Sequence, residues 1–293
     1  MDRLRGRRSE NVPGDLYVDA SCIDCDTCRW MAPQVFQRVG DRSAVVSQPD
    51  TEIDRLQALQ ALLSCPAGSI RTVAPPTDID IAAAQASLPI LLAMGVYHCG
   101  YHARASFGAA SYLIQRPDGN VLLDSPRFTK PLVDRLESLG GVRYLYLTHC
   151  DDVADHQKFH DHFQCDRLLH EADITADTQG IEHPLSGSEP ISLAPDLLIL
   201  PLPGHTSGHT VLLYADRFLF TGDHLYWSAS QQQLISPREY CWYSWSEQIR
   251  SMVKLQSYSF EWILPGHGQR FTADSDTIQQ ELSRCLNWMK TVI

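Results

Sequence analysis

Cys22, Cys25 and Cys28 recur at every third position, and Cys65 stands far downstream, directly before Pro66. Three thiolates at that spacing converge on one point only if the loop turns tightly. The distant Cys-Pro must then fold back to complete the set. This C-x2-C-x2-C…C-P arrangement is the ligand spacing of one [4Fe–4S] cluster. A disulfide framework does not suit a chain expected to be cytoplasmic. Structural zinc pairs two C-x2-C hooks and leaves the third cysteine without a role.

The residues around the cysteines read as a compact module. Residues 16–19 and 69–73 are strand-like, and residues 42–46 alternate as a strand does. A helical turn is expected near 30–35. Ile53, Leu56, Leu59, Leu62 and Leu63 fall at helical spacing and lead into Cys65. Over roughly residues 15–72 the chain resembles bacterial-type ferredoxins. The two-cluster type places a fourth cysteine three residues after the third, before a proline. Here that position is Ala32, and Pro33 remains. The resemblance is therefore to single-cluster ferredoxins, which implies cluster ligation by Cys22, Cys25, Cys28 and Cys65.

The domain organisation expected is a frayed tail at 1–14, a ferredoxin-like domain at 15–74, a linker at 75–87 opened by Pro75-Pro76, and a second domain at 88–293. Residues 1–76 carry nine Arg and Lys against ten Asp and Glu, which leaves 15 against 25 for residues 77–293. The larger part would repel a phosphate backbone, so nucleic acid is not expected as a partner. No apolar run approaches the roughly 20 residues of a membrane span. The basic start lacks the apolar stretch of a signal peptide, so a cytoplasmic protein is expected.

Past residue 88, short strand-like runs end in polar loops. Four of these carry His or Asp: Leu147-Thr-His149-Cys-Asp151-Asp152-Val-Ala-Asp155-His156, Pro203-Gly-His205-Thr-Ser-Gly-His209, Thr221-Gly-Asp223-His224 and Leu264-Pro-Gly-His267-Gly. Imidazoles and carboxylates converging from several strand ends are what a divalent-metal site requires. Taken singly, His209 and His224 read as residues supporting the ligands, and His160 and His162 as a solvated helix face.

With these motifs in this order, residues 88–293 resemble the metallo-β-lactamase superfamily. Ser111-Tyr-Leu-Ile and Leu122-Leu-Asp124 add to the likeness. The resemblance implies an α+β chain, a small ferredoxin-like domain followed by a four-layer αβ/βα sandwich with one or two divalent metals, zinc or iron. His205, Asp223 and His267 match the third His, the bridging Asp and the last His. The first motif departs from the signature His-x-His-x-Asp-His. Set at His149, the signature puts Asp151 on the second His, Val153 on the Asp and Ala154 on the last His. Two extra residues restore it, with His149 ligating and Asp155-His156 displaced but usable. A helix beginning near Asp152 would place Asp152, Asp155 and His156 on one face. The expected metal residues are His149, Asp151, Asp155, His156, His205, Asp223 and His267, with Asp155 and Asp223 as the catalytic acids. Asp151 and Asp152 have a plainer reading, as charges solvating the start of that helix.

A superfamily hydrolase activates water on two zinc ions. A carboxylate in place of a histidine makes the site harder and favours ferric iron, as in the flavodiiron branch. Three readings stand: a metal-dependent hydrolase of a small-molecule substrate, an oxidoreductase in which the cluster passes electrons to an iron site in the second domain, and a non-catalytic electron-transfer or interaction protein with a degenerate metal site. A redox partner protein is expected where the cluster carries electrons. Tyr240, Trp242, Tyr243 and Trp245 either line a pocket or fill a core, and large aromatics usually do the latter.

Overall fold

The computed structural model describes residues 6–292. The chain divides into two compact units, one of residues up to Arg143 with Ala154–Gln164, the other of Tyr144–Val153 with residues from Cys165 on.

In the first unit, strands Leu16–Val18 and Ile70–Thr72 pair antiparallel, and Phe36–Val39 forms a hairpin with Arg42–Val45. Helix Thr27–Met31 follows the cysteine loop, slightly before the turn expected at 30–35. Helix Glu52–Ser64 starts at Thr51, whose hydroxyl accepts the Asp54 N–H, and its first turn carries Glu52 and Asp54 where the helix dipole favours acids. Pro66 forces Cys65 out of helical geometry, so the fourth thiol leaves the helix end. Val18, Met31, Phe36, Val45 and Ala61 form the core beneath the cysteines.

Residues 6–14, expected to fray, are held instead. Asn11 accepts the N–H groups of Val18 and Val45 and donates to the carbonyls of Arg8 and Val18. Residues 1–5 of that expected tail lie outside the described residues. The expected linker contains helix Asp78–Ala86, capped by Thr77. Four strands then follow as an antiparallel meander, Ile90–Ala93, Val96–His98, Tyr112–Ile114 and Val121–Leu123.

In the second unit, strands Tyr144–Tyr146, Asp166–His170 and His183–Leu185 run parallel. A six-stranded sheet has the order Ile191–Ala194, Leu197–Pro201, Thr210–Tyr214, Phe218–Gly222, Trp262–Pro265, Phe271–Thr272. Phe218–Gly222 and Trp262–Pro265 are parallel neighbours, so the loops that leave them emerge at the same edge. Leu197–Pro201, two antiparallel steps from Phe218–Gly222, ends at that edge as well. Helices Trp245–Leu255 and Ser275–Met289 share a fully buried core with the sheet, through Met252, Leu282, Leu219 and Ile263. Among the described residues no helix is long and apolar enough to cross a membrane.

Candidate metal centre

The four His- and Asp-bearing loops leave the carboxyl ends of strands Tyr144–Tyr146, Leu197–Pro201, Phe218–Gly222 and Trp262–Pro265. Strand ends are where α/β sheets place their sites, because loops there can vary while the sheet holds their roots. The Tyr146 hydroxyl donates to Thr210 Oγ1 at 2.7 Å, and the Thr210 N–H donates to the Thr148 carbonyl at 2.9 Å. These bonds fix the first loop against the second.

Two donor groups result. His149, Asp151 and His205 form one; His149, Asp152 and Asp223 form the other. Asp151 Oδ2 lies 3.3 Å from His205 Nε2 and 4.0 Å from His149 Nε2. Asp223 Oδ2 lies between the groups, 3.8 Å from both of those nitrogens and 3.7 Å from His267 Nε2. Donors about 2.1 Å from a tetrahedral metal stand roughly 3.4 Å from one another, so these spacings suit a shared ion. Gly266 permits the closeness: a Cβ there would sit 2.8 Å from Asp223 Oδ1 and 3.0 Å from Asp152 Oδ2.

The residues fit a metal. His149 Nε2 and Asp223 Oδ1 are buried without a hydrogen-bond partner, while His149 Nδ1 is 2.9 Å from Thr148 Oγ1. Burial pushes His149 down to about 4 despite the Asp223 charge, which leaves its imidazole neutral and able to ligate. The hydrogen bond with His205 holds Asp151 near 2 against the effect of burial. Burial opposes charging of His205, but the Asp151 bond and the Asp223 charge outweigh it and raise its pKa. Behind the ligands, His209 and His224 are fully buried, their rings 5.5 Å apart, and His209 stacks 5.1 Å from His149.

His149, Asp151, His205, Asp223 and His267 are thus brought together. Asp155 and His156 belong to neither donor group and lie in the first unit. Helix His156–Phe163 starts after Asp155, not near Asp152. Asp155 accepts the Phe128 N–H at 2.8 Å and pairs with Lys158 at 2.7 Å, and His156 is buried in the first helical turn. Ala154 takes φ +26°, which a right-handed helix cannot pass through. Asp152 lies outside that helix, is 1% exposed, and stands in one donor group with His149 and Asp223. Its signal in the sequence was the acid next to Asp151.

Asp173 was not singled out from the sequence. It accepts the N–H of Gly208 at 2.7 Å and of Cys150 at 3.2 Å, and the Thr206 hydroxyl at 2.5 Å. One buried carboxylate therefore joins the His149 loop to the His205 loop. Asp173→Ala is expected to destabilise the fold by roughly 3 kcal/mol, since donors are left buried and unpaired. Metal affinity should fall by about 10–100-fold, as for other groups that orient ligands. Thermal unfolding and metal titration read both effects; unchanged metal affinity would exclude this orienting role.

In the first unit, Cys22, Cys25, Cys28 and Cys65 line one cavity. The Ser69 N–H donates to Cys65 Sγ at 3.3 Å. Burial pushes the Cys25 thiol up to about 11 and that of Cys28 higher still, so iron ligation must displace their protons.

Residues 18–72 match the family model of the 4Fe-4S single cluster domain of Ferredoxin I. The DIM-1 metallo-beta-lactamase aligns with TM-score 0.54 at 12% identity, covering 69% of this chain and 96% of that one. FIM-1 from Pseudomonas aeruginosa, in its mono-zinc form, aligns at TM-score 0.52 and 16% identity, covering 68% and 93%. The chain joins a single-cluster ferredoxin domain to a metallo-β-lactamase fold. A hydroxyacylglutathione hydrolase of Shewanella loihica is 33% identical over 127 residues, or 39% of this chain. The chain spans 46% of the length of that relative.

Proposed function

We propose that the protein is a metal-dependent hydrolase of a small ester or thioester, with a fused [4Fe–4S] module. The observation that carries this reading is the pair of donor groups that share His149, with Asp223 Oδ2 3.8 Å from both His149 and His205. His149, Asp151 and His205 would hold one divalent ion; Asp152 and Asp223 would hold a second beside His149, with His267 Nε2 3.7 Å from Asp223 Oδ2 as a further donor. Metal bound there lowers the pKa of water and polarises a substrate carbonyl. The protein groups fix the geometry and set the charge. His149 stays neutral for ligation, and the Thr148 hydroxyl fixes its ring orientation. Asp151 contributes a permanent negative charge on the exposed side of the site. The hydroxyacylglutathione hydrolase relative supports a thioester as the substrate class.

A second reading, an oxidoreductase at an iron site, draws on Asp151. A carboxylate where relatives of this fold place a histidine favours a higher metal oxidation state. Metal analysis of anaerobically purified protein separates the two. The hydrolase reading expects zinc in addition to four iron per chain, together with thioester cleavage. Iron beyond four, without cleavage, favours the redox reading.

A further inference from the structure

Tyr240, Trp242 and Tyr243 are 55%, 63% and 57% exposed. Three large aromatics so close in sequence are turned to water, with the rings of Tyr240 and Trp242 in contact, and exposed apolar patches mark binding sites. Trp245, expected to share their fate, does not: it is partly buried against the core of the second unit, and the Arg238 guanidinium lies 5.4 Å over its ring. Helix Trp245–Leu255 therefore begins by tucking in one aromatic and leaving three outside.

Their place is fixed by a metal-site loop. The N–H groups of Trp242 and Tyr243 both donate to the His205 carbonyl, at 2.9 and 3.0 Å, and the Ser244 N–H donates to the Gly204 carbonyl at 3.0 Å. The Trp242 ring lies 6.3 Å from the His205 imidazole, and the Tyr240 ring packs edge-on at 6.1 Å from Trp242. His205 in turn reaches Asp151. The exposed aromatics thus stand one residue away from the donor groups, on backbone that is already ordered, so little entropy is lost when a ligand binds.

We propose that Tyr240, Trp242 and Tyr243 form an aromatic rim that binds an uncharged, planar aromatic group of the substrate beside the metal site. This rests on the metal-dependent hydrolase reading and narrows its substrate to an aryl ester or aryl thioester. A flat ring is what an edge-to-face Tyr240–Trp242 pair can cover. None of Tyr240, Trp242 and Tyr243 carries a positive charge that could pair with an anion at the ring end of a substrate. A substrate of the glutathione type, with carboxylates at the remote end, matches neither feature.

The test compares phenylphosphonate with methylphosphonate as ligands of the metal-loaded full chain, by calorimetry, after metal content has been measured. Both carry the same metal-seeking head and differ only in the ring. Phenylphosphonate is expected to bind about tenfold more tightly, as one well-formed aromatic contact predicts. Trp242→Ala should bring the ratio of the two Kd values toward one, and Trp242→Phe should restore most of it. Equal Kd values in the wild-type chain, no binding of either ligand, or an unchanged ratio in Trp242→Ala would each overturn the aromatic rim. A chain with no metal beyond the cluster would instead overturn the hydrolase reading, which keeps the two failures distinct.

Discussion

Asp223→Ala is expected to lower hydrolysis by on the order of a thousandfold and to remove at least one of the two metal ions. Asp223 Oδ2 stands within 3.8 Å of His149 and His205 and 3.7 Å of His267, so its loss takes a shared charge from both donor groups. Lewis-acid stabilisation at such a site is worth several kcal/mol, and about 4 kcal/mol corresponds to a thousandfold in rate. His205→Ala acts in the same direction, because it also frees Asp151 from its hydrogen bond. Neither change should unfold the sheet, whose core lies on the far side of these loops at residues such as Leu219 and Ile263. Asp155→Asn is the contrast. Asp155 holds the Phe128 N–H and Lys158, so its replacement should cost stability and leave metal content intact. Metal per chain, kcat/KM on a thioester and thermal unfolding of the three variants decide the matter. Full metal occupancy in Asp223→Ala would remove the site as drawn.

The difference between Asp152 and Asp155 marks where the sequence stops being legible. In Asp151-Asp152-Val-Ala-Asp155-His156 every Asp is an acceptable helix start, because each can cap free N–H groups. Which one is used depends on the backbone at Ala154, whose positive φ ends any helix trying to pass. No local pattern in the sequence encodes that. The loops of His205, Asp223 and His267 were legible for the opposite reason. Each follows a short apolar run and contains a glycine, so strand, turn and ligand are written in consecutive residues. Residues 6–14 looked unstructured because their order comes from tertiary hydrogen bonds, such as Asn11 to Val45 and Arg8 to the Val39 carbonyl, rather than from a local pattern. The aromatic run misled for a related reason: Trp245 opens helix Trp245–Leu255 and packs against the core, while Trp242 lies in the loop before that helix and stays exposed, a difference that residue type does not encode. Asp173 left no motif, since its partners at Cys150, Thr206 and Gly208 come from two other loops.

Cys65→Ala is expected to abolish the [4Fe–4S] cluster and to loosen more of the chain than the module that holds it. Cys65 is the ligand that returns from the end of helix Glu52–Ser64, so without it the three thiols of the tight loop cannot close a four-cornered site. The helix it terminates does not stand alone. The Ser64 carbonyl accepts the His102 N–H at 3.2 Å, and the Leu63 carbonyl accepts Arg127 Nη2 at 2.6 Å. Thr27 Oγ1, beside Cys25, meets His102 Nδ1 at 3.1 Å, and the Trp30 ring lies 5.0 Å from that of His98. Gly108 lies so close that a Cβ there would stand 2.7 Å from Cys25 Cβ. The loop at residues 98–108 is therefore built onto the cluster binding site, and its order depends on the cysteines being held. Cluster ligation acts as folding free energy in such modules, because the unfolded chain offers no preformed site. Loss of visible iron–sulfur absorption and of four iron per chain should accompany faster amide exchange at both 22–31 and 98–108. Faster exchange confined to the cysteine loop would mean that the two segments are energetically independent. Exchange that rises in both would make the cluster a structural keystone of the first unit, whether or not it carries electrons.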